Sequence, residues 1–327
     1  MGKNKNKNQK NDQYAEVKEL ATDFAYQNEK KFVKKRCKED FMSEKKARKL
    51  FYEQLIDYLP EAIEYCLLFG YRQNDQKVQE TKMNIYSKIT EKKFVKALTK
   101  RLEDDDAQEI KNIKLLPVII SDIIFITSEE NKRLLSEDPN ADVYDLNDLA
   151  DLSKMILGKK IKKLTKLGIS EGLAYDILSI CPSPKIFNYG TNYRIHTLFR
   201  VLYEHAKTED INIDDILNTC IPEDRMGTVC MFALLERKSK TAHYTDKQNK
   251  LFDDITKWVF DYMEQLSNDE ISTILETYVE SRKRDDLVNK DTERRFFIKS
   301  LSATDYPNIV KVAQKLLTTD PTADKYF

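Results

Sequence analysis

Three histidines, five cysteines and one acidic run are the residues of this chain best suited to chemistry. The histidines are His196, His205 and His243. His196 and His205 are nine positions apart, and at 3.6 residues per turn they fall on opposite sides of a single helix, where they cannot share a metal. No His-Glu-x-x-His exists, and Cys220 and Cys230 lack the spacing of a zinc site. Cys37, Cys66, Cys181, Cys220 and Cys230 include no Cys-x-x-Cys pair, and an odd number fits free thiols in a reducing cytoplasm. A catalytic histidine–cysteine pair would have to be assembled by the fold, because separation along the chain does not report it. Glu103-Asp104-Asp105-Asp106 offers oxygen ligands for a divalent cation. Consecutive acids point in different directions, however, and these also suit the N-terminus of a following helix. The expectation is no catalytic residue, no metal and no cofactor.

Glycine narrows the field further. The chain of 327 residues has only 7, against a usual share of about 7%. Tight β-turns need positive φ and consume glycine, so hairpins are few. Without any Gly-x-Gly there is no dinucleotide fingerprint and no kinase phosphate loop, and no Walker A pattern occurs either. The polar N-terminus MGKNKNKNQKNDQ has no apolar core to suggest a signal peptide. Asn6 stands where a myristoylation signal needs Ser or Thr. The longest apolar run, 115–127, is too short for a membrane span of about 20 residues and contains Asp122.

Two segments could hold a partner. The stretch 181-CPSPKIFNYGTNYRIH-196 is the most irregular in the body of the chain, since Pro182 and Pro184 stop a helix. There Lys185, Phe187, Tyr189, Asn192, Tyr193 and Arg194 alternate aromatic with polar and basic groups, a pattern able to stack a base or grip a peptide. The second segment, 163-KLTKLGISEGLAYDIL-178, resembles the turn of a helix-turn-helix. Gly168 can take the left-handed conformation that ends a helix, Ile169 can pack inward, and Ser170 can cap the next helix. The resemblance departs at two points. The motif favours a small residue four before the glycine, where this chain has Leu164. With Ala174 and Ile177 inward, the outward positions are Ser170, Glu171, Gly172, Tyr175, Asp176 and Ser179. That face has two carboxylates and no cation to meet a duplex charged every ~1.7 Å. The preceding helix offers Lys159, Lys160, Lys162, Lys163 and Lys166 as phosphate contacts, although they also follow an acidic stretch that they can neutralise. An ordinary capped helix–helix turn is the expectation.

The elements that must position these residues read as helical throughout. Ser43 caps a helix carrying Ala47, Leu50, Phe51, Leu55, Tyr58 and Leu59; Pro60 opens another, and Gly70 closes it. Helices also fit 75–88, 91–103, 106–116 and 128–136, with a buried helix in the apolar run, where Leu116, Ile119, Ile120, Ile123 and Ile124 form one stripe. A basic helix fits 153–167. Leu251, Phe252, Ile255, Trp258, Val259, Tyr262, Met263 and Leu266 share a face. Ser267 and Glu270 then form a capping box into a second helix, for an antiparallel hairpin. Helices at 292–301 and 305–318 complete the chain. The fold class is all-α: an irregular multi-helical bundle or short α-solenoid built from antiparallel helix hairpins. The expected organisation is a disordered basic tail over 1–12, an N-terminal helical subdomain over 13–136, an acidic linker over 137–150 and a C-terminal helical subdomain over 151–327.

Charge balances overall, with 55 basic and 55 acidic residues, which argues against a chain that coats nucleic acid or membrane as a whole. The imbalance is local: residues 1–50 hold 15 Lys and Arg against 8 Asp and Glu. These features point to a non-enzymatic protein-interaction or scaffold protein of the cytoplasm whose partner is another protein. The alternative is a nucleic-acid binder using the basic tail, the Lys159–Lys166 helix and the 185–194 loop.

Overall fold

The computed structural model describes residues 3–70, 72, 74–103, 110, 112–182, 191–235, 243–282 and 299–319, and the side chains of these except 3–13, 191–193, 235, 278–282 and 319. Among the described residues there are fourteen α-helices and no strand. The chain divides into two units, residues 1–166 with 174–190, and residues 167–173 with 191–327.

In the first unit the helices are α1 (Lys3–Tyr26), α2 (Glu29–Glu39), α3 (Glu44–Phe69), α4 (Gln76–Thr90), α5 (Lys92–Glu103), α6 (Leu116–Glu137), α7 (Asn147–Thr165) and most of α8 (Glu171–Ile180). Side-chain caps set several starts: the Lys31, Lys46 and Val78 amides donate to Asn28, Ser43 and Asp75 at 3.1, 3.4 and 3.1 Å. Helix α3 is central, with α1, α2, α4, α5 and α6 packed around it. Its Phe51, Leu55, Leu59 and Ile63 are fully buried with Ile85 and Ile89 of α4 and Phe94 and Leu98 of α5. Phe24 of α1 meets Phe94 edge to face at 5.6 Å between ring centres. Residues 3–12, whose Lys/Asn composition has no apolar face, continue α1 at its N-terminal end, and the acidic stretch 137–150 lies inside this unit.

Several helix boundaries differ from the sequence expectation. Pro60 does not open a helix; it lies inside α3. A proline there removes one backbone bond and costs about 3 kcal/mol in a helix interior, yet Leu55, Leu59, Pro60, Ala62 and Ile63 on both sides of it are buried. Tertiary packing therefore carries the helix through. The separate helices expected over 115–127 and 128–136 are one helix, α6, with Pro117 in its first turn; nothing between Thr127 and Ser128 forces a break. Of the helix expected over 106–116, residues 106–109 and 111 lie outside the described residues, and residues 112–115 are not α-helical. Asn112 takes a left-handed conformation (φ 60°) and residues 113–115 make a single 3-10 turn before α6. The basic helix expected at 153–167 begins earlier, at Asn147, so Asp148 sits in its first turn and Lys162 and Lys163 in its last. That arrangement complements the helix dipole at both ends.

The second unit holds α9 (Thr191–His205), α10 (Ile213–Cys220), α11 (Met226–Leu235), α12 (Asp246–Met263), α13 (Asn268–Arg282) and α14 (Pro307–Thr319). Helix α12 starts in a capping box of Thr245 and Gln248. The buried Gln248 also donates to the Tyr203 carbonyl at 2.9 Å, tying α12 to α9. The Ser267–Glu270 capping box forms as expected: the Glu270 amide donates to Ser267 Oγ at 3.3 Å, and the Ser267 amide to Glu270 Oε2 at 3.0 Å. The helices it joins do not pack chiefly on each other, however. Helix α11 packs against both α12 and α13, while α14 covers α13. A short connection brought α12 and α13 into sequence adjacency; the apolar α11, with Val229 and Cys230 fully buried, takes the space between them. The helix expected at 292–301 lies largely outside the described residues.

Candidate functional site

Helices α2 and α3 pack as a hairpin whose tip is residues 40–43. Val33 is the buried residue of α2. Phe32 lies 5.4 Å from the Phe51 ring, and Arg36 lies over Phe32 while bonding Asp40 at 2.8 Å. With that face committed to packing, the remaining cations of α2 point to solvent. Residues 28–49 hold 10 Lys and Arg against 4 Asp and Glu, a net +6.

A groove of about 480 Å³ runs between the two helices, with Glu29, Lys30, Lys34 and Lys38 on the α2 side and Glu44 and Arg48 on the α3 side. Val33 and Cys37 are the uncharged side chains that line it. Arg48 is neutralised by Glu29 at 3.4 Å and Glu44 at 3.2 Å. Lys35 and Lys49 pair with Glu39 and Glu53 along their own helices. By contrast, Lys30, Lys31, Lys34, Lys38, Lys45 and Lys46 have no carboxylate within 4.0 Å among the described residues, and all six are exposed.

Glu29 anchors the base of the groove. It accepts from the Tyr52 hydroxyl at 2.9 Å and pairs with Lys93 at 3.3 Å as well as with Arg48. Burial pushes its carboxyl upward, but the Tyr52 hydrogen bond and the Lys93 and Arg48 charges outweigh that and hold it below its ordinary value of 4.5. A depressed carboxyl contributes stability that is full above the unfolded value and is lost as pH falls through the folded one. The wild type therefore loses stability as pH drops below about 4.5, and Glu29→Gln makes that loss shallower, as read by urea unfolding from pH 6 to 3.

At the tip, Phe41 has φ 54° and is 92% exposed. It follows the C-cap Asp40, whose amide donates to the Arg36 carbonyl at 3.0 Å. Glycine normally takes this left-handed position; an L side chain there costs about 1–2 kcal/mol. A phenylalanine so exposed returns little of that cost through burial. Replacing it with glycine relieves the strain but adds unfolded-chain entropy of about 0.5–1 kcal/mol. Phe41→Gly should therefore leave the protein about 0.5–1 kcal/mol more stable in urea unfolding.

The segments singled out in the sequence are placed as follows. Lys185, Phe187 and Tyr189 lie outside the described residues. Asn192 and Tyr193 fall in the first turn of α9, with only their backbones described. Arg194, expected to face a partner from a loop, is instead in that same turn and only 2% exposed. Lys159, Lys162, Lys163 and Lys166 are exposed, whereas Lys160 donates to the Pro182 carbonyl. The turn at Gly168 forms as its residues suggest: φ is 86°, Ile169 is buried, and Ser170 Oγ accepts from the Leu173 amide at 3.2 Å. Ser179, expected on the outward face, is buried and donates to the Tyr175 carbonyl at 2.8 Å. Glu171 is exposed and Asp176 half-buried, and the outward positions of α8 carry no cation.

His205 Nδ1 lies 2.5 Å from Glu209 Oε1, while His196 and His243 are exposed. Four of the five cysteines are buried and Cys37 is half-buried; burial pushes the Cys66 thiol well up and that of Cys230 to about 12. No group of three or more potential metal ligands occurs among the described residues; of the acidic run, only Glu103 falls among them. A second cleft, of about 470 Å³, lies beside α12 at Trp258. Three of its four acids are held by neighbours: Asp254 by Lys250 at 3.3 Å, Asp210 by Lys247 at 3.4 Å, and Asp261 by the Tyr306 hydroxyl at 2.9 Å. No described helix is long and apolar enough to cross a membrane.

The α2–α3 tip is the feature that sequence reasoning missed. The local excess of cations was visible; the exposure of Phe41 and the sign of its φ were not. No protein-family model matches the chain, and no curated protein and no solved structure matches it.

Proposed function

We propose that this chain is a non-enzymatic interaction protein that docks an anionic partner along the groove between α2 and α3. The observation that carries this reading is the set of six exposed lysines on this hairpin without carboxylate partners among the described residues, of which Lys30, Lys34 and Lys38 line the groove. The chain as a whole has as many acidic as basic residues, whereas residues 28–49 carry a net +6, so the excess field of this hairpin is available to a ligand. Such a field raises local anion concentration and association rate. The groove is lined by charged side chains with Val33 and Cys37 and holds no histidine to pair with the Cys37 thiol, which supports binding over catalysis. Five cysteines without a disulfide fit a cytoplasmic setting.

Fluorescence anisotropy with two labelled probes tests the reading: oligo-dT of about 15 nucleotides and polyglutamate of similar length. Both should bind at about 50 mM salt and weaken as salt rises; five phosphate contacts imply a loss of about 100-fold for oligo-dT by about 200 mM. Absence of binding to either probe at low salt overturns the reading.

A further inference from the structure

We infer that Phe41 is a stacking platform for a base, and that the anionic partner of the α2–α3 hairpin is single-stranded nucleic acid. This rests on the reading of the groove given above and adds the chemical class of its occupant.

Three observations meet at one place. Phe41 is nearly fully exposed and strained, so folding alone gives no reason for an aromatic there. Lys38 precedes it by three residues and Lys45 and Lys46 follow within five, all exposed and without carboxylate partners among the described residues. Lys38 also lines the groove, together with Lys34 and Lys30 of α2, each about one helical turn from the next. A single strand needs these two things together: cations that follow its backbone and a π-face on which a base can stack without sequence preference.

Other anionic partners fit less well. An acidic amphipathic helix docks by several apolar anchors at helical spacing, whereas the groove offers Val33, itself buried, as its apolar lining. A lipid surface takes an amphipathic face with a broad apolar side, but on this hairpin Val33 and Ala47 are buried and Phe32 and Met42 half-buried. Duplex DNA keeps its bases stacked on one another and offers no free face to a side chain without flipping.

The test compares Phe41→Ser, Phe41→Tyr and Lys34→Glu/Lys38→Glu in the full chain, with circular dichroism to confirm that each is folded. Phe41→Ser should weaken oligo-dT about tenfold and leave polyglutamate within about twofold, since one base–aromatic stack is worth about that factor. Phe41→Tyr should retain oligo-dT binding, and the lysine reversals should weaken both probes. If Phe41→Ser leaves oligo-dT unchanged, or weakens both probes equally, the stacking role is overturned while the basic groove stands. If Phe41→Ser instead abolishes binding to phosphatidylserine vesicles with oligo-dT unaffected, the occupant is a membrane surface and the inference fails. Failure of the wild type to bind either soluble probe removes the groove reading itself.

Discussion

Phe94→Ala should destabilise the protein by about 3–5 kcal/mol, the usual cost of emptying a fully buried phenylalanine site. Phe94 of α5 has no exposed surface, and its ring meets that of Phe24 of α1, also fully buried, edge to face. Such a pair adds roughly 0.5–1.5 kcal/mol beyond the burial of its area. Helix α5 also packs against α3, α4 and α7, which limits collapse into the cavity left by the truncation. Urea unfolding followed by circular dichroism measures the loss, and Phe125→Ala supplies the contrast. Phe125 is 58% exposed, and its removal should change stability by no more than about 0.5 kcal/mol. Equal effects from both would contradict the packing of α5 against α1 and α3.

Lys30→Glu/Lys34→Glu/Lys38→Glu together should reduce oligo-dT affinity by more than about 100-fold at low salt, because each change removes a phosphate contact and adds a repelling charge. The same three reversals at Lys159, Lys162 and Lys163 should cost no more than about threefold. Those lysines share α7 with the carboxylates Asp148 and Asp151 and have no strained, exposed aromatic like Phe41 beside them. The neighbouring Lys160 is engaged by the Pro182 carbonyl. The comparison separates a local site from general attraction between a polyanion and any basic helix. Anisotropy titrations at one fixed salt concentration decide it.

How far the sequence reaches depends on whether a feature is local. Caps are local: Ser43, Ser267 with Glu270, and Gly168 with Ser170 could each be assigned from residue type and offset, and each is formed. Pro60 marks the limit of that approach. A proline suits a first turn or an interrupted interior equally well on the page, and only the burial of α3 on both sides decides between them. The relation of α12 to α13 was likewise hidden, because the helix that separates them, α11, lies earlier in the chain.

The site follows the same division. The cation excess near the N-terminus is a matter of counting, so it was legible. Which lysines remain without partners depends on where Glu29 is directed, and Glu29 is drawn away by Tyr52, Lys93 and Arg48. Phe41 reads as one more apolar residue near a helix end; neither its left-handed backbone nor its exposure has a signature in Asp40-Phe41-Met42-Ser43. Arg194 shows the reverse case, a cation whose loop-like neighbours suggested a contact surface but which the first turn of α9 buries.

Cys37 lines the groove and is the one cysteine of five that is not buried, so it reports on the groove directly. Its rate of alkylation by iodoacetamide, followed by mass spectrometry, should fall several-fold when oligo-dT saturates the protein and recover when salt releases the oligonucleotide. Saturating oligo-dT with no protection of Cys37 would place the partner elsewhere and contradict the account.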